Sequence, residues 1–369
     1  VGIVSYGAYV PRYRIRPAEI GSTWGADGEP MGQGLGDHRK AVNVVLAVIV
    51  IVILVIVAAV GIYYFTMSKG TTSALTNVTV GTAVGVSEVY YLPMIVAQEK
   101  GFWAANGLNV TWQKFLGAPP MYQAFAAGQL GVGLTAAGST FDSASRGIGV
   151  KLIGVYLNET EFGIIVNANS SFHSVSELNG STFAVTATNG LEAVYAEIIA
   201  NKYHLVFHYV QTGSLPNSLA LLEKGQAQAM DFTVGSVAAL VQAGKLRVIY
   251  NDTDALPSPW AEFGITATNS YIQNNGPTLK KINLALSETI RFILNNPSFA
   301  EGVVENFTQS NSQVGAYVYG VLQSSWNPSL SIGTQALSNV DNVYVQYGIT
   351  PSASAASVTS IYTTQFLPS

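Results

Sequence analysis

Cysteine is absent from these 369 residues, so no disulfide framework staples the chain and no lipid-modified Cys can anchor it. Histidine is nearly as scarce. His38, His173, His204 and His208 are the whole complement, with no cluster at metal-ligand spacing and no Ser/His/Asp set, so neither a metal site nor a catalytic residue is expected. No Gly-rich phosphate loop ending in Lys-Ser/Thr is present, so any ATP hydrolysis must come from a partner. No cofactor is expected. Charge is sparse as well, at 10% of residues. After position 40 the chain carries 12 basic against 17 acidic residues, a net charge of −5, which argues against a nucleic-acid partner. Low charge combined with much Ser, Thr, Asn and Tyr fits an acid-tolerant or glycan-covered surface.

What the chain does have is one long apolar segment, Ala41 to Phe65, with Asn43 near its start. From Val44 to Ile62 every residue is apolar or Gly, and about 20 such residues span the roughly 30 Å hydrocarbon core of a bilayer. His38, Arg39 and Lys40 abut its N-terminal end, while Tyr63, Tyr64 and Phe65 follow it before a lone Lys69. Positive residues stay inside, so the leading part is expected to be cytoplasmic and the roughly 300 residues that follow extracellular. A cleaved signal peptide has a shorter apolar region and a small-x-small exit, which Gly61-Ile62-Tyr63-Tyr64 lacks. The segment therefore reads as an uncleaved, single-pass signal anchor over 41–66.

Seven Asn-x-Ser/Thr triplets, at Asn77, Asn109, Asn158, Asn169, Asn179, Asn251 and Asn306, all fall after this segment. They agree with an extracellular glycoprotein, although about four would arise by chance from the motif definition.

Beyond the apolar run, 67–77 is a Gly/Ser/Thr-rich linker. Short β-rich runs then alternate with helical ones. Strands are predicted at Val78–Ala83, Leu108–Lys114, Gly131–Thr135, Phe183–Thr186, Phe207–Val210, Ala229–Thr233 and Leu246–Tyr250. Helices are predicted at Leu92–Ala105, Pro120–Ala127, Leu191–Lys202, Ser218–Lys224 and Ser236–Ala243. Alternation of this sort builds parallel sheets with helices on both faces, and two such series imply two lobes. The tetrapeptide Glu161-Phe162-Gly163-Ile164 recurs as Glu262-Phe263-Gly264-Ile265. This echo places the two passages between lobes, with Gly163 and Gly264 read as letting the backbone flex.

The stretch Leu92-Pro93, Ala97-Gln98-Glu99-Lys100-Gly101-Phe102 and Gly107-Leu108-Asn109-Val110 resembles the opening of the nitrate/sulfonate/taurine-type solute-binding proteins, with Asn109 where that family usually has Asp. Three further markers follow in order. They are Ala124-Phe125-Ala126-Ala127-Gly128-Gln129-Leu130-Gly131-Val132-Gly133, with Gly131 in place of an Asp, then Glu177 to Val185, and Leu221 to Met230. The resemblance implies an α/β, two-lobed type II periplasmic-binding-protein fold, with lobe one at 78–161 and 264–369 and lobe two at 162–263. It further implies a small-molecule solute captured between the lobes and delivered to the permease and ATPase subunits of an ABC importer, by a monomer held to the membrane through 41–66.

Such a trap holds its ligand by loops at the carboxyl ends of strands and by helix N-termini. In lobe one the candidate loops contain Ser87, Glu88 and Tyr90, then Gly117 and Ala118, then Gly138, Ser139 and Thr140. In lobe two they contain Thr186, Thr188, Asn189 and Gly190, then Gly213 and Ser214, then Thr233, with Trp260 as an aromatic wall or a hinge-side core residue. Each Ser, Thr or Asn here is equally readable as a helix cap. A carboxylate at Glu88 pointing inward would oppose a sulfonate or nitrate and favour an amine or a donor-rich ring, and Arg146, Arg247 and Arg291 are the only arginines after position 40.

Residues 1–40 fit none of this. Val1 to Ile15, Trp24-Gly25 and Gly34-Leu35-Gly36 resemble the N-terminus of archaeal-type hydroxymethylglutaryl-CoA synthase, an enzyme that attacks with a Cys thiolate. The missing Cys removes that activity. The fragment reads as a fusion or an artefact, or as lying upstream of a start at Met31, with little packed structure of its own. Both resemblances point to an archaeal source. Two other functions stay open beside transport: a ligand-sensing ectodomain, and a protein or enzyme related to thiamine-pyrimidine binding.

Overall fold

The computed structural model describes residues 74–83, 89–351 and 358–368. The segments 1–40 and 41–66 lie outside them, and no helix among the described residues is long and apolar enough to cross a membrane.

Ten strands form two five-stranded sheets. The first contains β1 (Thr76–Thr82), β2 (Leu108–Lys114), β3 (Val132–Ala136), β4 (Val150–Leu157) and β10 (Phe263–Thr268) in the order β2-β1-β3-β10-β4. The second contains β5 (Phe162–Asn167), β6 (Thr182–Val185), β7 (His208–Gln211), β8 (Ala229–Thr233) and β9 (Leu246–Asn251) in the order β7-β6-β8-β5-β9. The two orders are the same pattern. In each, the fourth position is filled by a strand arriving from the other sheet, and that strand alone runs antiparallel to its neighbours. The sheets are thus mixed, where alternation alone predicts parallel ones, because the two passages between lobes each contribute one reversed strand.

The repeated tetrapeptide occupies equivalent places in this pattern. Phe162 opens β5 and Phe263 opens β10. The carbonyl of Glu161 accepts from Val234 N at 2.9 Å, and that of Glu262 accepts from Ala137 N at 2.8 Å. Each glutamate carbonyl so caps the first N–H of one helix, the one that starts at Val234 for Glu161 and the one that starts at Ala137 for Glu262. The glycines have a different role from the flexing expected of them. A Cβ on Gly163 would lie 2.7 Å from the Tyr250 carbonyl oxygen, and one on Gly264 would lie 2.8 Å from that of Gly154. Both sit within a strand, Gly264 at a register shift against β4, and close backbone approach excludes any side chain.

Helices cover the sheets. In lobe one these are α1 (Leu92–Glu99), α2 (Phe102–Ala105), α3 (Ala118–Ala126) and α4 (Ala137–Ser145). The single helix predicted over Leu92–Ala105 is divided because Gly101 takes φ 73°, a left-handed conformation that ends one helix and starts the next. In lobe two α5 (Leu191–Tyr203), α6 (Leu215–Glu223) and α7 (Val234–Gln242) pack on the second sheet. The chain then returns to the first sheet and finishes with α8 (Asn269–Asn274), α9 (Gly276–Asn295), α10 (Pro297–Thr308), α11 (Ser312–Leu322) and α12 (Thr334–Gln346). One continuous core joins the first sheet to α1, α9 and α12, with Tyr91, Tyr156 and Tyr344 almost wholly buried. Lobe two has a smaller cluster on each face of its sheet.

Candidate functional site

The carboxyl ends of β1, β3, β6 and β8 and the starts of the reversed strands converge where the lobes meet. The lobes are in contact there. A Cβ on Gly117 would lie 3.9 Å from Ala187 Cβ, and one on Gly235 only 2.7 Å from Val89 Cγ2, across the boundary in each case. Between them lies a cavity of about 460 Å³ with walls from both lobes, within the range of small-molecule sites. Lobe one contributes Ala118, Tyr122, Ser139 and Asp142, and lobe two contributes Asn189 and Val194.

Three of the residues singled out from sequence therefore meet in this cavity: Ala118, Ser139 and Asn189. Gly117 opens α3 with φ 89° and ψ 171°, a combination reserved for glycine, and its N–H bonds Ala83 O. Gly138 lies under the Tyr344 ring, so that a Cβ there would be 2.0 Å from Tyr344 Cζ. Thr186 donates to both carboxylate oxygens of Glu192, at 2.7 and 2.8 Å. Thr188 hydroxyl reaches Gln211 Oε1 at 3.4 Å. Gly190 N–H closes a turn to Ala187 O at 3.0 Å, while Gly213, at φ 77°, and Ser214 lead into α6.

The remaining candidates are engaged in packing. Tyr90 stacks on Phe263 with ring centres 4.3 Å apart and is buried. Thr140 is fully enclosed, sharing hydroxyl bonds of 2.8 Å with Tyr122 and with Thr266. Thr233 donates to Ser236 at 2.7 Å. Trp260 donates its indole N–H to Glu262 at 2.8 Å and is buried. Ser87 and Glu88 lie outside the described residues. His204 and His208 are both exposed, one ending α5 and one starting β7.

Tyr122, Asp142, Arg146, Val194, Tyr344 and Ile349 also line the cavity, and of these the sequence drew attention only to Arg146, as one of three arginines after position 40. Asp142 and Arg146 are an i, i+4 pair, which on sequence alone reads as an exposed helix-face ion pair. Tyr344 comes from a C-terminal helix about 200 residues away in sequence.

The electrostatics are unusual for their buried acids. Glu262 is pushed up to about 7 by burial, although hydrogen bonds from Tyr195, Trp260 and Thr160 pull the other way. Asp231 and Asp252, both almost fully enclosed, are raised well above the carboxylate range by burial first and, for Asp231, by the neighbouring Asp252. Both shifts favour the protonated, neutral carboxyl, which lowers the cost of burying charge. Burial also raises Tyr122 and Tyr344 above the ordinary phenol range. Among the described residues no group of three or more His, Asp or Glu is disposed to hold a metal ion.

Residues 88–300 match the family described as NMT1/THI5 like. Among solved structures, a Candida albicans protein described as having the generic periplasmic binding protein fold superposes with a TM-score of 0.66 at 11% identity, covering 80% of this chain and 98% of its own. The alkanesulfonate-binding protein SsuA from Xanthomonas axonopodis pv. citri, bound to MOPS, gives a TM-score of 0.66 at 14% identity over 79% of this chain and 100% of its own. At these identities the likeness is one of fold, two-lobed α/β. Separately, 42 residues are 55% identical to hydroxymethylglutaryl-CoA synthase from Archaeoglobus fulgidus. That stretch is 11% of this chain, and the chain spans 12% of the length of that curated relative.

Proposed function

Because this chain belongs to the NMT1/THI5-like family, we propose that it is a solute-binding protein that closes its two lobes on a small molecule and delivers it to an ABC importer. The observation that carries this reading is the cavity of about 460 Å³ walled by both lobes. Two short crossings connect the sheets, after β4 and after β9. Rotation about two such crossings opens and shuts a cleft with little change inside either lobe. The segment 41–66 serves as the membrane anchor in this reading, the domain after it is extracellular, and the protein acts as a monomer. All seven triplet asparagines are exposed on the described surface, which leaves each accessible to a glycosyltransferase.

Thermal unfolding of the full chain in detergent, against nitrate, taurine, alkyl sulfonates, bicarbonate, thiamine pyrimidines and amino acids, tests the trap. A ligand that binds only the native state at 100 times its Kd stabilises by about 2.7 kcal/mol. A raised midpoint with one chemical class supports the reading, and no shift with any class counts against it. Mass analysis of the protein from its native host tests the outward placement, since glycans add mass at the triplets.

A further inference from the structure

Resting on that reading, we infer that the cavity takes a small solute carrying a protonated nitrogen and rejects sulfonates and nitrate. A helix N-terminus attracts an anion through its free N–H groups and dipole, and four helices begin at or beside this cleft. Among the described residues each of these N-termini lacks a donor, has one already engaged, or is faced by a carboxyl group of this chain. In α3 the second and third residues are Pro119 and Pro120, which have no N–H to offer. In α4 the Ala137 N–H is taken by Glu262 O at 2.8 Å, and the Tyr344 ring lies over Gly138.

The other two N-termini already hold carboxylates of this chain. Glu192 stands in the first turn of α5, 5% exposed, with both oxygens accepting from Thr186. Glu161 reaches the start of α7, where its Oε2 accepts from Gly235 N at 3.3 Å. An anionic solute would meet a carboxyl group of this chain at both places.

Nor does a side chain supply the missing positive charge. Among the described residues Arg146 is the only basic one lining the cavity, and its Nε donates to both oxygens of Asp142 at 3.0 Å while NH2 bonds Asp142 at 2.9 Å. What remains to meet a solute is acceptor-rich and aromatic: the second lone pairs of Asp142, the side chains of Ser139 and Asn189, and the rings of Tyr122 and Tyr344. Carboxylate oxygens beside aromatic rings are the surroundings in which an ammonium is favoured.

The test uses the full chain in detergent and head groups matched on two frames: propylamine, propanol and propane-1-sulfonate, then benzylamine, benzyl alcohol and phenylmethanesulfonate, with sodium nitrate added. Thermal unfolding is followed by titration calorimetry of any compound that raises the midpoint. The expected result is that an amine gives the largest shift on its frame and that the sulfonates and nitrate give none. A sulfonate or nitrate shift equal to or above that of the matched amine overturns this inference and leaves the solute trap standing. No shift with any head group overturns both. Asp142 is partly exposed, so Asp142→Asn should fold, and it frees Arg146. It is expected to weaken amine binding on the order of tenfold and to admit the sulfonate; unchanged amine affinity in a folded Asp142→Asn protein counts against the inference.

Discussion

Tyr195, in the second turn of α5 in lobe two, donates its hydroxyl to the buried carboxylate of Glu262, whose N–H bonds Leu157 O at the edge of the first sheet. Glu262 also accepts from Trp260, so one carboxylate gathers a helix of one lobe and the second crossing between lobes. The bond joins parts of the molecule that must shift if the cleft opens.

The raised proton affinity of Glu262 gives the protein a pH dependence of definite sign. Its native value of about 7 lies above the ordinary 4.5, so the folded state holds the proton more tightly than the unfolded chain. Stability is therefore greatest below about 4.5 and falls as pH rises towards 7, by roughly 3 kcal/mol from this group. Asp231 and Asp252 act in the same direction. Thermal midpoints measured from pH 4 to pH 8 should fall with rising pH, and Glu262→Gln should flatten the upper part of that slope without abolishing it. A midpoint that rises over this range refutes the assignment.

Tyr195→Phe removes one donor from a carboxylate that is 1% exposed. The expected cost is about 1–3 kcal/mol, because the buried oxygen keeps only Trp260 of its two donors and gains no water in exchange. Since the Tyr195 bond lowers the proton affinity of Glu262, its loss should also extend the pH slope to higher pH. Denaturant titrations at pH 5 and pH 8 check both, and the loss of stability should be larger at pH 8.

Gly138→Ala places a methyl group 2.0 Å from the Tyr344 ring. Overpacking of this kind costs about 1–3 kcal/mol, and it should displace Tyr344 from the cavity wall. Thermal unfolding and any solute affinity should both suffer, and Tyr344→Ala in the same chain should recover part of the stability by making room.

His204 ends α5 at φ 58° and is exposed. Glycine adopts this left-handed conformation without the Cβ penalty. His204→Gly should raise stability by up to about 1 kcal/mol, read as a higher denaturant midpoint with an unchanged slope.

Most strands could be read from sequence. Leu108–Lys114 and Ala229–Thr233 have the same limits in both readings, because their apolar residues end against clear turn residues. Strand β4 and the four helices from α9 to α12 were not singled out. The burial of α9 and α12 depends on partners contributed by distant segments. Of the candidate site residues, Ala118, Ser139 and Asn189 stand at strand-to-helix turns and so were visible, while Tyr122 and Tyr344 sit inside helices with nothing local to mark them.

The sequence by itself determined the alternation of strands and helices, the resemblance to a binding-protein family, and the repeated Glu-Phe-Gly-Ile that leads into β5 and β10. These are properties of residues close together in the chain. The tertiary structure alone decided which carboxylates are buried, which helix N-termini are already occupied, and that Arg146 is neutralised by Asp142. A charge acquires its meaning from the groups packed against it and from the water they exclude, and neither is written in the order of residues.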